Sequence, residues 1–310
     1  MEKPCVYVTL LTRLEYLPGV LVLEHTLRAT GSKFPLVVMV TSALSQEAKD
    51  ILRRRQIRTE NIESLLPPKG RHALASHDSR FADTWTKLRA FGLTKYRRVV
   101  LLDADMIIMR NMDELMELVL SSGNIAACHV CACNPRKLAH YPSDWIPENC
   151  AYTPLVHPSC LTSPPVITPS SPRPYTQLNS GLVVLEPSLE LANSIYNHLA
   201  TSPNIHTWTF PDQDLLSDFF QGSWTPLPWC YNALKTLMVI HSALWRDEEI
   251  RCLHYILADK PWKARVPPGG TGSVYDKVHR WWWDRFVGLR EEMQTSQEDW
   301  ALVWANVAPA

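Results

Sequence analysis

Residues 98–106 read Arg-Val-Val-Leu-Leu-Asp-Ala-Asp-Met (RVVLLDADM), and the fold assignment starts from this stretch. The apolar run of valine and leucine at 99–102 predicts a short buried strand. An Asp-Ala-Asp triplet follows the run directly. Because side chains of extended backbone alternate with a period of two, Asp103 and Asp105 are expected to project to the same side of the chain.

Similar apolar runs occur on both sides of this strand. Residues 6–11 (VYVTLL) and 36–40 (LVVMV) precede it, and 182–185 (LVVL) and 250–254 follow it. Helical patterns lie between them, and the predicted helices span 17–30, 47–55, 81–93, 188–199 and 210–220. Alternation of apolar strands with helices predicts an α/β fold with a mainly parallel sheet covered by helices on both faces. Ligands of such sheets bind beyond the carboxyl ends of the strands.

The pattern is interrupted over residues 134–177, which hold ten of the 24 prolines. So much proline excludes a regular helix or central strand, and leaves either a proline-stiffened lid or packed irregular structure. Four cysteines, Cys128, Cys131, Cys133 and Cys150, lie at or near the start of this segment. A zinc site usually has two pairs of ligands at short spacing, and only one pair is visible here. The first interpretation is therefore buried thiols in a packed loop, with a structural metal as the alternative.

Composition excludes several classes of protein. The 310 residues are 46% hydrophobic and 20% charged, which excludes global disorder. A formal net charge of zero argues against a protein that coats nucleic acid or an anionic membrane. No apolar run approaches the roughly 20 residues of a membrane helix, and the N-terminus lacks a signal-peptide pattern, so we expect a cytoplasmic protein.

The Asp-Ala-Asp triplet is a candidate metal site. Two carboxylates on one side of a strand end repel each other unless a cation lies between them, although a solvated turn is the simpler reading. His254, at the end of the run 250–254, is a candidate third ligand, and its imidazole favours manganese over magnesium. Lys260 can pair with a phosphate as a point charge.

Two further motifs suit a sugar ligand. Asn179-Ser180-Gly181 enters a predicted strand with small hydrogen-bonding residues, which fit sugar hydroxyls or simply a tight turn. Asp212-Gln213 opens a predicted helix, where an acidic residue is also favoured by the helix dipole.

Taken in order, these motifs resemble family 8 retaining glycosyltransferases, the group of glycogenin and galactinol synthase. The resemblance runs from Tyr7 to about Asp284. The blocks, in family order, are Val8-Thr9-Leu10 with Tyr16 and Gly19, Lys87-Leu88, Asp103-Ala104-Asp105, Asn179-Ser180-Gly181, Asp212-Gln213, Leu227-Pro228 with Tyr231-Asn232, and His254-Tyr255 with Lys260-Pro261-Trp262.

The resemblance implies a single nucleotide-sugar-binding domain of the Rossmann-like GT-A type over 1–290, with a Pro- and Cys-rich insertion at about 128–177 and a tail over 291–310. It implies transfer of galactose or glucose from a UDP-sugar with Mn²⁺ held by Asp103, Asp105 and His254. By the same resemblance, the nucleotide and donor sugar would be bound by Leu10, Thr12, Tyr16, Lys87, Ala104, Asn179, Ser180, Asp212, Gln213 and Lys260, of which Lys87, Asp212 and Gln213 would act in catalysis.

The chain resembles the galactinol-synthase branch more than glycogenin. Phe34-Pro35-Leu36, Ala243-Leu244-Trp245-Arg246 and Arg280-Trp281-Trp282-Trp283-Asp284 are similar to segments of that branch. Residues 233–246 contain no tyrosine, where glycogenin's self-glucosylated tyrosine is expected. A small polyol acceptor, with myo-inositol favoured, is therefore implied. Neither a nucleic acid nor a membrane partner is expected, and a homodimer is left open.

Three positions depart from glycogenin's pattern. Arg13 replaces an asparagine of the uridine site, Leu257 stands where that pattern has a glycine near the phosphate, and Thr209 replaces a sugar-contacting aspartate.

Retention of anomeric configuration can follow two routes. Asp212 or Asp214 could attack as a nucleophile, as in retaining glycosidases. Alternatively, the acceptor hydroxyl attacks from the face that the leaving group departs, and the resemblance favours this route. A glycogenin-like enzyme acting on a glucan or protein primer, a silent UDP-sugar-binding scaffold and a sugar-nucleotide pyrophosphorylase are the competing functions. The last normally has a glycine-rich basic loop after its first strand, which residues 9–18 lack.

Overall fold

The computed structural model describes residues 3–72, 83–139, 141–293 and 297–308. The first two residues of the helix predicted over 81–93 lie outside the described residues. The chain forms one α/β domain around a seven-stranded sheet in the order β3-β2-β1-β4-β7-β6-β8. The strands of this sheet are β1 Cys5–Leu11, β2 Leu36–Val40, β3 Arg58–Asn61, β4 Arg98–Leu102, β6 Ile125–His129, β7 Leu178–Leu185 and β8 Thr225–Pro226.

Most of the sheet is parallel, as predicted. The pairs β3-β2, β2-β1, β1-β4 and β6-β8 are parallel, and only β7 runs antiparallel to its neighbours. Side chains of β1 alternate between two cores: Val6 and Val8 pack on one face, and Tyr7 and Leu11 on the other. Burial of both faces explains why the strands read as continuous apolar runs.

A second, three-stranded sheet in the order β5-β10-β9 was not predicted. It consists of β5 Met106–Ile108, β9 Ala233–Leu234 and β10 Cys252–His254. Strand β5 begins directly after the Asp-Ala-Asp triplet, and His254 pairs with Met106 in its register. The second sheet therefore brings His254 beside the triplet, although 148 positions separate His254 from Met106.

Four of the predicted helices form close to their expected bounds. The helices are α1 Leu17–Ala29, α2 Gln46–Arg54, α3 Leu189–Thr201, α4 Pro211–Phe220, α5 Leu237–Ile240, α6 Asp276–Met293 and α7 Gln297–Ala305. Ser45 and Ser188 cap α2 and α3 by accepting the backbone N–H of Ala48 and Leu191. The helix predicted over 81–93 is instead a 3₁₀ helix, Thr84–Gly92.

The proline-rich segment contains 3₁₀ turns at Pro147–Asn149, Ser159–Leu161 and Arg173–Thr176, and no α-helix or strand among its described residues. The segment is anchored to the rest of the domain: the Tyr152 hydroxyl donates to the carbonyl of His129 in β6 at 2.8 Å, and Cys160 is fully buried. These contacts favour packed structure over a free lid. The segment starts after β6, so Cys128 and His129 belong to the sheet.

The C-terminal tail packs on the domain. Arg54 of α2 pairs with Asp299 of α7, and the Ala308 N–H donates to the Trp262 carbonyl at 2.7 Å. Within the described ranges, no helix is both long enough and apolar enough to cross a membrane.

Candidate active site

The candidate site lies at the carboxyl end of β1 and β4. These strands are parallel, with Thr9 opposite Leu102, so Leu10 near the end of β1 and Asp103 directly after β4 lie at the same edge of the sheet. Strand β7 is antiparallel to β4, and its first residues therefore reach that edge too. The Asp103 N–H donates to the Gly181 carbonyl at 2.9 Å, which fixes the triplet against the Asn179-Ser180-Gly181 turn.

A cavity of about 290 Å³ opens at this edge. Every residue that the sequence assigned to the site lines it, although their individual roles stay predictions. The assigned residues that line the cavity are Leu10, Thr12, Tyr16, Lys87, Asp103, Ala104, Asp105, Asn179, Ser180, Asp212, Gln213, His254 and Lys260.

Asp103, Asp105 and His254 converge on one point. Their nearest ligand atoms all lie within 4.8 Å of one another. His254 Nε2 is 3.6 Å from Asp103 Oδ2 and 3.3 Å from Asp105 Oδ1. Asp105 and His254 are buried, so bulk water screens the interactions among these groups only weakly.

A chain of amide groups fixes the tautomer of His254. The Gly181 N–H donates to Asn179 Oδ1 at 3.0 Å, which identifies that atom as the oxygen. The Asn232 amide N–H donates to the same oxygen at 2.8 Å, so Asn232 Oδ1 faces His254 Nδ1 at 2.9 Å. Nδ1 of His254 therefore carries a proton, and Nε2 points at the two carboxylates.

This arrangement fits a divalent cation. A lone pair facing two carboxylates is repulsive unless a second proton or a metal ion lies between them. Two carboxylate oxygens and one imidazole nitrogen suit manganese, and the hydrogen bond at Nδ1 is the support that metal-bound histidines usually have. The sequence places Asn232 in the Tyr231-Asn232 block but does not predict that it contacts His254. Its sequence signal was that block alone, since its effect depends on a fold contact with Asn179.

Two buried lysines balance the carboxylates. Lys87 Nζ lies 2.6 Å from Asp103 Oδ1 and 2.8 Å from Asp212 Oδ2, and Lys260 pairs with Asp105. Burial opposes the charge on Lys87, but the two carboxylates outweigh it and raise its pKa. Burial likewise acts against ionised Asp105, yet Lys260 and His254 outweigh it and hold its pKa below the usual range. For Asp103 burial prevails over Lys87 and raises the pKa.

Two glycines permit the close packing of the triplet. A Cβ on Gly19 of α1 would lie 2.4 Å from the Ala104 carbonyl oxygen, and one on Gly181 would lie 2.4 Å from His254 Cε1. Both distances are well inside van der Waals contact. Backbone approach at these points thus places Asp103, Asp105 and His254 together.

The predicted uridine end lies next to α1. Tyr16 packs edge-on against Trp262, with ring centroids 5.6 Å apart. Arg13, the first departure from the glycogenin pattern, pairs with Asp83 at 2.8 Å, and Thr12 donates to the same carboxylate at 3.2 Å. Asp83 and Arg13 line the cavity and were not predicted as site residues.

Leu257, the second departure, also lines the cavity. Its φ of +77° is in the left-handed region that favours glycine. The backbone here therefore keeps a glycine-like conformation despite the leucine, at a cost of about 1–2 kcal/mol.

Residues of the insertion form one wall of the cavity, which we call the aromatic wall and which the sequence did not predict. It includes Val130, Cys131, Arg136, Tyr141 and Trp145 from the first part of the insertion. Among the described residues, the lining stops at Trp145 and resumes at Asn179. Residues 146–177, the larger part of the segment that the lid hypothesis concerns, thus do not line the cavity.

Aromatic contacts hold this wall. The Trp145 and Phe210 rings stack with centroids 5.5 Å apart, and Trp145 Nε1 donates to Gln177 Oε1 at 2.8 Å. Tyr141 meets Phe210 edge-on at 5.2 Å.

Asp214 lies behind this wall. Its Oδ2 accepts the backbone N–H groups of Thr209 and Phe210 at 2.7 and 2.8 Å. Burial raises the pKa of Asp214 to about 7, against the effect of these two hydrogen bonds. Asp214 is not among the cavity-lining residues, which disfavours it as a nucleophile. Thr209, the third departure from the glycogenin pattern, contacts Asp214 through its backbone N–H.

The sequence pattern of Glycosyl transferase family 8 matches residues 7–265. The chain belongs to glycosyl transferase family 8. Similar curated relatives of this family 8 glycosyltransferase include galactinol synthase 3 from Arabidopsis thaliana, which is 29% identical over 289 residues covering 91% of this chain and 81% of the relative. Galactinol synthase 1 from Ajuga reptans is 28% identical, covering 86% of this chain and 77% of the relative.

Solved structures agree with the GT-A-type fold. The galactosyltransferase LgtC, in complex with donor and acceptor sugar analogues, matches with a TM-score of 0.57 at 14% identity, covering 96% of this chain and 99% of LgtC. The bifunctional glycosyltransferase WbbM matches with a TM-score of 0.60 at 15% identity, covering 95% of this chain and 51% of WbbM. This chain thus spans about half the length of WbbM. At such identities the likeness concerns the fold alone.

Proposed function

We propose that this glycosyltransferase is a metal-dependent retaining galactosyltransferase that moves galactose from UDP-galactose to a small polyol, with myo-inositol the favoured acceptor. The observation that carries the proposal is the convergence of Asp103, Asp105 and the Nε2 lone pair of His254 beside the strand-end cavity. The similarity to galactinol synthases supports the donor and the acceptor.

Asp103, Asp105 and His254 would hold the metal, for which the ligand set favours Mn²⁺. The bound ion would supply neutralisation of negative charge on the diphosphate leaving group. Lys260, already positioned against Asp105, would share its charge with a phosphate oxygen. Leu10, Thr12 and Tyr16 would bind the uridine beside α1.

Lys87 and Asp212 would position the donor sugar. Lys87 bridges Asp103 and Asp212, and thereby joins the proposed metal ligands to the start of α4. Gln213 accepts the Asn179 amide N–H at 3.0 Å, and so joins the same polar chain that ends at His254. We infer that this network keeps Asp212 and Gln213 in place for the sugar hydroxyls and for positive charge that develops at the anomeric carbon.

The geometry favours attack from the leaving-group face. Asp212 is the carboxylate of the α4 motif that lines the cavity, and its ion pair with Lys87 weakens it as a nucleophile. Same-face attack needs only positioning and charge stabilisation, which this cavity offers.

The aromatic wall suits a compact acceptor. The rings of Tyr141 and Trp145 offer apolar surface to the C–H faces of a cyclitol or sugar, and Arg136 adds hydrogen-bond donors. A small polyol is favoured over a protein primer because residues 233–246 lack a tyrosine. A cytoplasmic setting and a homodimer stay predictions.

The test is release of UDP from UDP-galactose and UDP-glucose, each with and without Mn²⁺ and myo-inositol. We expect release that needs the metal, rises with myo-inositol and is faster with UDP-galactose. The product should be an α-galactoside by NMR. Metal-independent release would contradict the proposed site, and transfer to glucan alone would support the glycogenin-like alternative. UDP binding without release from any donor would support the silent scaffold.

A further inference from the structure

A second group of metal-binding side chains lies outside the candidate active site. Cys131, Cys133, Cys150 and His241 form a thiol–imidazole cluster in which all four ligand atoms lie within 4.8 Å of one another. Cys133, Cys150 and His241 are buried, and Cys131 is half-buried at the cavity wall.

Three separate pieces of chain supply the cluster. Cys131 and Cys133 follow β6, where an i, i+2 spacing in extended chain turns both thiols to one side. Cys150 directly follows the 3₁₀ turn Pro147–Asn149, and His241 directly follows α5. Sequence spacing showed only the first pair, because His241 lies far along the chain.

The distances fit a tetrahedral metal site. His241 Nε2 is 3.5 Å from Cys131 Sγ, 3.2 Å from Cys133 Sγ and 3.5 Å from Cys150 Sγ. One nitrogen can share at most one proton, so hydrogen bonding alone accounts for only one of these three contacts. A tetrahedral zinc ion, with Zn–S of about 2.3 Å and Zn–N of about 2.0–2.1 Å, sets sulfur–nitrogen separations of about 3.6 Å.

We propose that Cys131, Cys133, Cys150 and His241 bind a structural zinc ion. Three thiolates and one imidazole form a complete four-coordinate set, which is typical of structural rather than catalytic zinc. The set is chemically distinct from Asp103, Asp105 and His254, because thiolates select zinc over the harder magnesium and manganese ions.

The zinc ion would join two walls of the cavity. Val130, Arg136 and Trp145 belong to the segment that supplies the three thiols, whereas Thr236 and Ile240 precede His241 in the chain. The backbone hydrogen bonds within the insertion are short-range turn bonds, such as that from the Cys150 N–H to the Pro147 carbonyl, and a metal cross-link would tie the insertion to the end of α5. The zinc would therefore fix the position of the aromatic wall without contacting the reacting atoms.

Metal analysis of the whole protein, purified without an affinity tag or added metal, tests the proposal. We expect about one zinc per chain by mass spectrometry, retained through dialysis against dilute EDTA. X-ray absorption should show three sulfur neighbours at about 2.3 Å and one nitrogen at about 2.0 Å. An oxygen-dominated shell would place the zinc at the aspartates instead and overturn the proposal.

Variants then assign the ligands. Cys133→Ser and His241→Ala should each lower the zinc content at least fivefold, whereas Cys128→Ser should leave it unchanged. Cys128 is a matched control because it is a buried thiol nearby that donates to the Pro228 carbonyl at 3.3 Å, outside the cluster. Wild-type protein with under a tenth of an equivalent of zinc and eight titratable thiols would overturn the proposal. So would a mass 2 Da low, which indicates a disulfide.

Discussion

The two walls of the cavity are built on different physical grounds. The donor wall consists of charged residues at the ends of sheet strands, where Asp103 and Asp105 follow β4 and His254 ends β10. The aromatic wall, which we propose binds the acceptor and also call the acceptor wall, consists of Val130, Cys131, Arg136, Tyr141 and Trp145 on an irregular insertion. Sheet register, buried ion pairs and a chain of amide groups set the first wall, whereas the second needs aromatic stacking and, as we propose, a metal. The donor wall should therefore respond to loss of charge, and the acceptor wall to loss of packing.

The largest effect is expected at the donor wall. Asp105→Asn keeps the size of the side chain but removes the charge that faces His254 and Lys260, so transfer should fall at least about a hundredfold. Initial rates at saturating Mn²⁺ would measure this. Asp144→Asn is the control, because Asp144 is a carboxylate of the insertion that pairs with Arg173. A loss below tenfold for Asp105→Asn would contradict the proposed charge on this wall.

A smaller effect is expected from the phosphate side of the same wall. Lys260→Met removes a charged donor, worth about 1.5–3 kcal/mol, so UDP affinity should fall about 10–100-fold while uridine affinity changes little. Calorimetric titration of both ligands separates the two outcomes. Equal losses for UDP and uridine would remove Lys260 from the phosphate site.

Replacing Asp214 tests whether a residue that holds the backbone of Phe210, beneath Trp145 of the acceptor wall, contributes to stability and not to catalysis. Its raised pKa means that the folded state binds a proton more tightly than the unfolded chain. Stability from this proton is complete below about pH 4 and is lost as pH rises towards 7. Relative to Asp214→Asn, the wild type should therefore lose about 1–3 kcal/mol of unfolding free energy between pH 5 and pH 8.

Denaturant titrations at several pH values would measure this difference. The neighbouring charges Asp212 and Arg173 are the same in both proteins, so they cancel in the comparison. We expect turnover of Asp214→Asn within about threefold of wild type. A hundredfold loss of turnover would restore Asp214 as a candidate nucleophile.

The smallest effect is expected at the aromatic wall. Trp145→Leu removes the stack on Phe210, worth about 0.5–1.5 kcal/mol, and should raise the acceptor KM about 3–10-fold. The KM for UDP-galactose should change less than twofold. A loss confined to the donor KM would mean that Trp145 serves the nucleotide side. Trp281→Leu is the control, since Trp281 belongs to α6 and does not line the cavity.

The donor wall could be predicted from the sequence better than the acceptor wall. The apolar strands and the residues at their ends could be predicted, because strand periodicity and the position of strand ends are local properties. His254 was proposed from its place at a strand end, but the sheet that brings it to Asp105 depends on β5 and β9, which are too short to show a pattern.

Contacts between irregular segments that lie far apart in the chain could not be predicted from the sequence. Nothing in the local sequence indicates that Asn232 orients His254, that Trp145 stacks on Phe210, or that His241 meets three thiols. Each of these contacts depends on the tertiary placement of loops, for which residue spacing carries no signal.

The convergence of Asp103, Asp105 and His254 on one cation is the central claim, and calorimetry of UDP binding with and without Mn²⁺ tests it most directly. We expect Mn²⁺ to increase wild-type affinity for UDP at least tenfold, and Asp103→Asn, Asp105→Asn and His254→Ala each to abolish this increase. An undiminished Mn²⁺ effect in any of the three variants would contradict the claim, as would its absence from the wild type.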